Sequence, residues 1–134
     1  MIVGFTGTQI GMCAAQKKAL IEYLQGLDAV TLHHGDCIGA DKEADDICKA
    51  LGNIDTIVHP PENESKRAFC KGYSRIAVPR PYLERNRHIV NCCEVLIVAP
   101  KTNEEETRSG TWSTYRYAKR ENKGILMLER SEDE

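Results

Sequence analysis

Two patterns of apolar and polar positions alternate along the chain. Short, mainly apolar runs occupy residues 1–5, 29–33, 54–59, 93–99 and 124–128. Several are continuous rather than alternating in polarity, as expected of strands covered on both faces. Between the runs, apolar residues recur at helical spacing. Met12, Ala19, Tyr23 and Leu27 mark one face of a first helix, and Ala40, Ala44, Ile47 and Leu51 mark a second that Gly52 would stop. A third helix is predicted from 81 to about 91, with Pro81 in its first turn, and a fourth over 111–122. This order predicts an α/β fold, a single Rossmann-like domain with a mostly parallel five-stranded sheet and helices on both faces. Right-handed crossovers would bring the strand ends to one edge. The stretch 60–81 fits no regular pattern, and a loop of that length is usually functional or mobile.

Composition adds the setting. A chain of 134 residues with 41% hydrophobic content suits one domain, here residues 1–130, with an acidic tail at 131–134 expected to fray. No apolar segment reaches bilayer length and the start "MIVGFTGTQ" is unlike a signal peptide, so a cytoplasmic protein with no membrane partner is expected. The six cysteines form no CxxC pair and read as reduced, packed thiols. No metal and no cofactor is expected. His33 and His34 point to opposite faces if both lie on a strand, so at most one enters a crevice directly. The other would pack under the sheet edge.

Charge changes the picture at one place. Residues 66–87 hold seven basic side chains against Glu84 alone, a local balance of +6 in a chain of net charge −2. Such a cluster in an otherwise acidic chain points to an anion site, or to a solvated loop. In it, Arg80 and Arg85 are the candidate phosphate ligands, with Phe69, Tyr73 or Tyr82 as stacking surfaces.

The strand ends carry the remaining candidates. "GFTGTQIG" offers Gly7, Thr8 and Gln9; "HHGDCIGAD" offers His34, Gly35, Asp36, Gly39 and Asp41; "RSGTWST" offers Ser109, Gly110, Thr111 and Trp112. Free backbone N–H groups and the helix dipole at such starts bind phosphate, and glycine permits close approach. Taken singly, Thr8, Asp41 and Ser109 also suit helix caps, and Trp112 suits core packing.

"HHGDCIGADKEA", then "PYLERNRHIV", then "CEVLIVAP" and "RSGTWSTYRYAKR" together resemble the SLOG superfamily, which includes the LOG-type phosphoribohydrolases and the Rossmann domain of DNA-processing protein A. The resemblance implies a Rossmann-like fold that binds nucleotides or nucleotide-derived ligands at this edge. Some members sense nucleotide signals in defence against phage, and LOG relatives pair as homodimers. LOG enzymes combine a helix arginine in a pattern like "ERK" with the glutamate of "GGxGTxxE". "ERN" puts Arg85 at the arginine position, and Gly110 and Thr111 fall in the phosphate-binding turn. Thr114 stands at the glutamate position, and Thr107 and Arg108 replace the leading glycines. A threonine neither stabilises an oxocarbenium-like state nor activates water, so Asp36, Asp41 or Glu84 would have to supply that carboxylate.

The leading expectation is therefore a module that senses or sequesters a nucleotide or NAD-derived phosphorylated molecule. The alternative is a nucleoside monophosphate N-glycosidase using Arg85 with Asp36 or Glu84. Nucleic-acid binding ranks third, because the chain is acidic overall and carries no dedicated DNA-reading motif.

Overall fold

Strands and helices follow one another as the hydrophobic pattern requires. The computed structural model describes residues 1–131, so all of the expected acidic tail but Ser131 lies outside them. β1 (Ile2–Gly7) leads through α1 (Ala14–Gln25) to β2 (Val30–His34), then through α2 (Ala40–Leu51) to β3 (Ile54–Val58). A long loop reaches β4 (Arg75–Ile76), followed by α3 (Tyr82–Cys92), β5 (Val95–Ala99), α4 (Gly110–Arg120) and β6 (Gly124–Met127). The strand order is β4-β3-β2-β1-β5-β6 with every pairing parallel. The sheet thus has six strands rather than five. The added strand, β4, is two exposed residues on an edge, too short to carry a periodic signature.

Period two assigns the faces. Val3, Phe5, Leu32, Ile97 and Ala99 pack with Leu20 and Leu24 of α1 and with Ala40, Ala44 and Cys48 of α2. Leu96 and Val98, one step out of phase, pack with Val90, Cys93 and Ala118 under α3 and α4. This two-sided cover explains why β5 is apolar at every position. A Cβ on Gly4 would come 3.0 Å from the Cys93 sulfur and 3.1 Å from Ile89, so α3 sits against bare backbone of β1.

The helix ends are built locally. Gly52 takes the left-handed conformation and donates its N–H to the Cys48 carbonyl, closing α2. Pro81 occupies the cap of α3 rather than its first turn. α1 starts at Ala14, later than β1's end would suggest, and α2 prepares that start: Glu43 accepts the Met12 N–H at 2.6 Å and pairs with Lys17 at 3.3 Å. Buried Gln16 then donates to the Pro100 and Leu128 carbonyls, tying α1 to the ends of β5 and β6. All six cysteines are unpaired, five of them buried. No described helix is long and apolar enough to cross a membrane.

The chain leaves β1 toward β2 on one side and returns beside it as β5 on the other. Connections that diverge in this way open a crevice at the C-terminal ends of the two strands.

Candidate functional site

That crevice is a cleft of about 1040 Å³. Gly7 at the end of β1 and Thr8, Gln9 and Ile10 after it form one wall, and Gly35, Cys37 and Asp41 after β2 form the next. Tyr82, Arg85, Asn86 and Ile89 present one face of α3, while Lys101 and Glu106 through Thr111 close the side after β5. Asn63, Ser65 and Lys66 reach over from the long loop.

Asp36 holds that loop in place. Its backbone is left-handed, with φ of 55°, and its carboxylate is fully buried. Oδ2 accepts from Arg67 Nε at 2.7 Å, Oδ1 from the Cys70 N–H at 2.8 Å, and its carbonyl from the Ala68 N–H at 2.7 Å. Its own N–H donates to Nδ1 of His34 at 3.0 Å. His34 must therefore carry its proton on Nε2, which donates to Asp45 at 2.8 Å. Asp45 also pairs with Lys49. Burial alone would raise the Asp45 carboxyl, but the hydrogen bonds from His34 and Lys49 outweigh it and hold the group below its usual range.

Arg85 is buried in the middle of the site. Its Nη1 donates to the carbonyls of Gly35 and, at 3.1 Å, of His59, and both terminal nitrogens lie 3.8 Å from the Cys37 sulfur. Nε is held by Asn86 at 2.8 Å. A Cβ on Gly35 would fall 2.5 Å from Arg85 and 3.0 Å from Asp41, so glycine lets both charged groups converge over the strand end. Asp41 Oδ2 accepts the Cys37 N–H at 3.2 Å. Burial pushes the Asp41 carboxyl above its usual range, against the pull of His34, Arg85 and nearby backbone N–H groups. The Cys37 thiol, buried and beside Asp41, is pushed up to about 11, which makes it a poor nucleophile.

The start of α4 opens onto the same space. Ser109 caps the helix by accepting the Trp112 N–H at 3.2 Å. The N–H groups of Gly110 and Thr111 precede the helical ladder, and a Cβ at Gly110 would meet nothing within 4 Å. Thr114 directs its hydroxyl back to the Gly110 carbonyl at 2.8 Å.

Under the sheet edge, His33 Nδ1 and His59 Nε2 are hydrogen-bonded at 2.8 Å. Burial, with nearby Arg75 and His88, lowers His33 to about 4. Burial, with His33 and His88, lowers His59 to about 3.

Of the residues singled out in the sequence, Gly7, Thr8, Gln9, Gly35, Asp41, Arg85, Ser109, Gly110 and Thr111 line the cleft together. His34 and Asp36 are buried behind its wall. Gly39, at φ of 85°, packs on the Gln9 backbone rather than facing open space. Arg80 lies outside the lining and joins Pro60 and Glu62 through its backbone. Glu84 is exposed on α3, also outside the lining. Trp112 is buried edge-on to Tyr115 at 5.2 Å, in the core position considered for it. Thr8 is no helix cap; its hydroxyl turns the chain by accepting the Ile10 N–H. The sequence reading missed Asn86 and Ile89, although Tyr82, Arg85, Asn86 and Ile89 share the i, i+3, i+4, i+7 spacing of one helix face.

No protein-family model matches the chain, and no curated protein matches it. Solved structures do. The X-ray structure of TM1055 aligns over 92% of this chain and 71% of its own, with a TM-score of 0.67 and 13% identity. DNA processing protein A from Streptococcus pneumoniae aligns over 93% of this chain at a TM-score of 0.65 and 21% identity, and the chain spans 49% of it. DNA processing protein A from Helicobacter pylori, described for its single-stranded DNA binding mode, aligns over the whole chain and 67% of its own, with a TM-score of 0.63 and 20% identity. At these identities the likeness establishes a shared Rossmann-like fold.

Proposed function

We propose that the chain is a SLOG-type domain whose cleft binds the phosphate of a nucleotide or NAD-derived molecule, sensing or sequestering it. One observation carries the reading: the N-terminus of α4, with Ser109, Gly110 and Thr111, opens into the same cleft as Arg85 and the turn after β1. Helix N-terminal N–H groups beside a guanidinium favour a bound anion. The carboxylates lining the cleft are Asp41 and Glu106, so a hydrolytic version of this reading draws on those two in place of Asp36 and Glu84. The test is incubation with nucleoside monophosphates, NAD and cyclic ADP-ribose, followed by chromatography of the unbound and heat-released fractions. Intact ligand released by heat supports binding, and free base with sugar phosphate indicates hydrolysis. Failure of every compound to be retained or altered would overturn the reading.

A second reading has its own support. Two fold neighbours are DNA processing proteins, one described with single-stranded DNA, which weighs against setting nucleic acid aside on net charge. Lys66 and Arg108 in the cleft lining suit a phosphate backbone. Competition between an oligodeoxynucleotide and a mononucleotide for the cleft separates the two.

A further inference from the structure

His33 stands opposite Ile57 in the β2–β3 ladder, and His59 follows Ile57 by two residues, so period two puts both histidines on one face of the sheet. α3 covers that face. His88 and Cys92 share one side of α3 at i and i+4, and both reach the pair. His88 stands edge-on to His59 with ring centroids 5.0 Å apart. A nitrogen of His33, a nitrogen of His59 and the Cys92 sulfur all lie within 4.8 Å of one another. His33 and His34 do face opposite ways, but the histidine that meets His33 comes from the next strand.

The packing leaves these rings short of partners. His33 and His59 are 6% and 2% exposed and hydrogen-bond to each other at 2.8 Å. Nδ1 of His59 and Nδ1 of His88 are buried with no hydrogen-bond partner among the described residues. Unpaired nitrogens are costly in a core, whereas an imidazole nitrogen beside a thiol is a ligand.

Donor chemistry selects the ion. Imidazole and thiolate together suit zinc, while magnesium and calcium take oxygen ligands, which this group lacks. Ligands held about 2.0–2.3 Å from a tetrahedral zinc stand roughly 3.3–3.6 Å apart, which side-chain shifts of about an ångström supply here. Arg75 acts on His33 and Arg80 on His88, so a cation among them needs an anionic ligand. Cys92, as thiolate, is that ligand.

We infer that His33, His59 and Cys92 bind zinc, with His88 or a water in the fourth position. Binding releases the Cys92 thiol proton to solvent, and each imidazole stays neutral with its proton on the nitrogen turned away from the metal. The site ties β2, the segment after β3 and α3 together behind the cleft. Because the His59 carbonyl accepts from Arg85 at 3.1 Å, the metal also steadies a group that positions Arg85. The inference is independent of what the cleft binds.

Titration of the metal-free protein with zinc, and with cobalt(II) as its spectroscopic stand-in, tests it. One cobalt per chain is expected, giving a thiolate-to-cobalt charge-transfer absorption and the strong visible bands of a tetrahedral ion, all discharged by zinc. Tm should rise with zinc concentration. Cys92→Ser should remove the charge-transfer absorption and weaken zinc binding by at least about tenfold. Should that variant not fold, the wild-type protein supplies a second measurement. Cys92 is the one cysteine of the six that is not buried, and zinc should slow its alkylation, located by mass spectrometry, by about tenfold or more. Absence of saturable metal binding overturns the inference. So does a charge-transfer absorption that survives Cys92→Ser, or alkylation of Cys92 at one rate with and without zinc.

Discussion

Arg67 donates from Nε to Oδ2 of Asp36 at 2.7 Å, joining positions 31 residues apart. The same carboxylate takes the Cys70 N–H, so one fully buried side chain anchors both the segment over the cleft and the approach to β4. Asp36→Ala leaves Arg67 without its buried partner and should cost about 3 kcal/mol, on the order of a 10 °C fall in Tm. Hydrogen exchange should quicken in residues 61–76. An unchanged melting curve would show that the loop is held by other means.

Arg85→Ala should lower both stability and ligand affinity, because the guanidinium bridges the Gly35 and His59 carbonyls as well as lining the cleft. Unsatisfied buried carbonyls cost about 1–3 kcal/mol each. Arg85→Lys, a point donor without the planar fork, should recover only part of the loss. Calorimetric melting alongside phosphate titration separates the two effects, and full rescue by lysine would refute the bridging role.

Two glycines, one packed behind the cleft and one at its lining, should respond differently to alanine. A Cβ on Gly39 would lie 2.3 Å from the Gln9 carbonyl oxygen at a φ of 85°, so Gly39→Ala should destabilise by about 2 kcal/mol or more. Gly110 has open space around its Cβ position, and Gly110→Ala should leave Tm within about 2 °C of wild type. Similar melting shifts for the two would contradict the geometry.

The His33–His59 pair sets an acid limit. Folded, the two titrate at about 4 and about 3, against 6.5 when free. The unfolded chain therefore binds more protons between pH 6.5 and the folded values, so stability is fully present above 6.5 and declines as pH falls through that window. His59→Phe removes part of this linkage. The Tm difference between wild type and His59→Phe should shrink from pH 7 to pH 5, and a constant difference would rule the pair out as the cause.

What could be read beforehand depended on how local its cause was. Continuous apolar runs betray strands covered on both faces, so five of the six strands were legible; β4 owes its pairing to a loop anchored by Asp36. The α4 turn was legible because Ser109, Gly110 and Thr111 are contiguous. Contacts such as Asp36–Arg67 or His33–His59 leave no local trace, since the partners are 31 and 26 residues apart and nothing in the sequence around one names the other. Asp41 was visible as a possible cap, ligand or catalytic carboxylate; its convergence with Arg85 over Gly35 needs α3 brought in from fifty residues away and leaves no mark in the local sequence.

The place of β1 in the sheet has a kinetic consequence. It meets β2 over three register pairs but β5 over five, from Val3 opposite Val95 to Gly7 opposite Ala99. The first strand of the chain thus obtains its longer ladder only after some ninety further residues exist, and parallel pairing across such a separation is slow to close. Until β5 arrives, the row that will become the middle of the sheet is an unprotected edge, open to pairing with another copy.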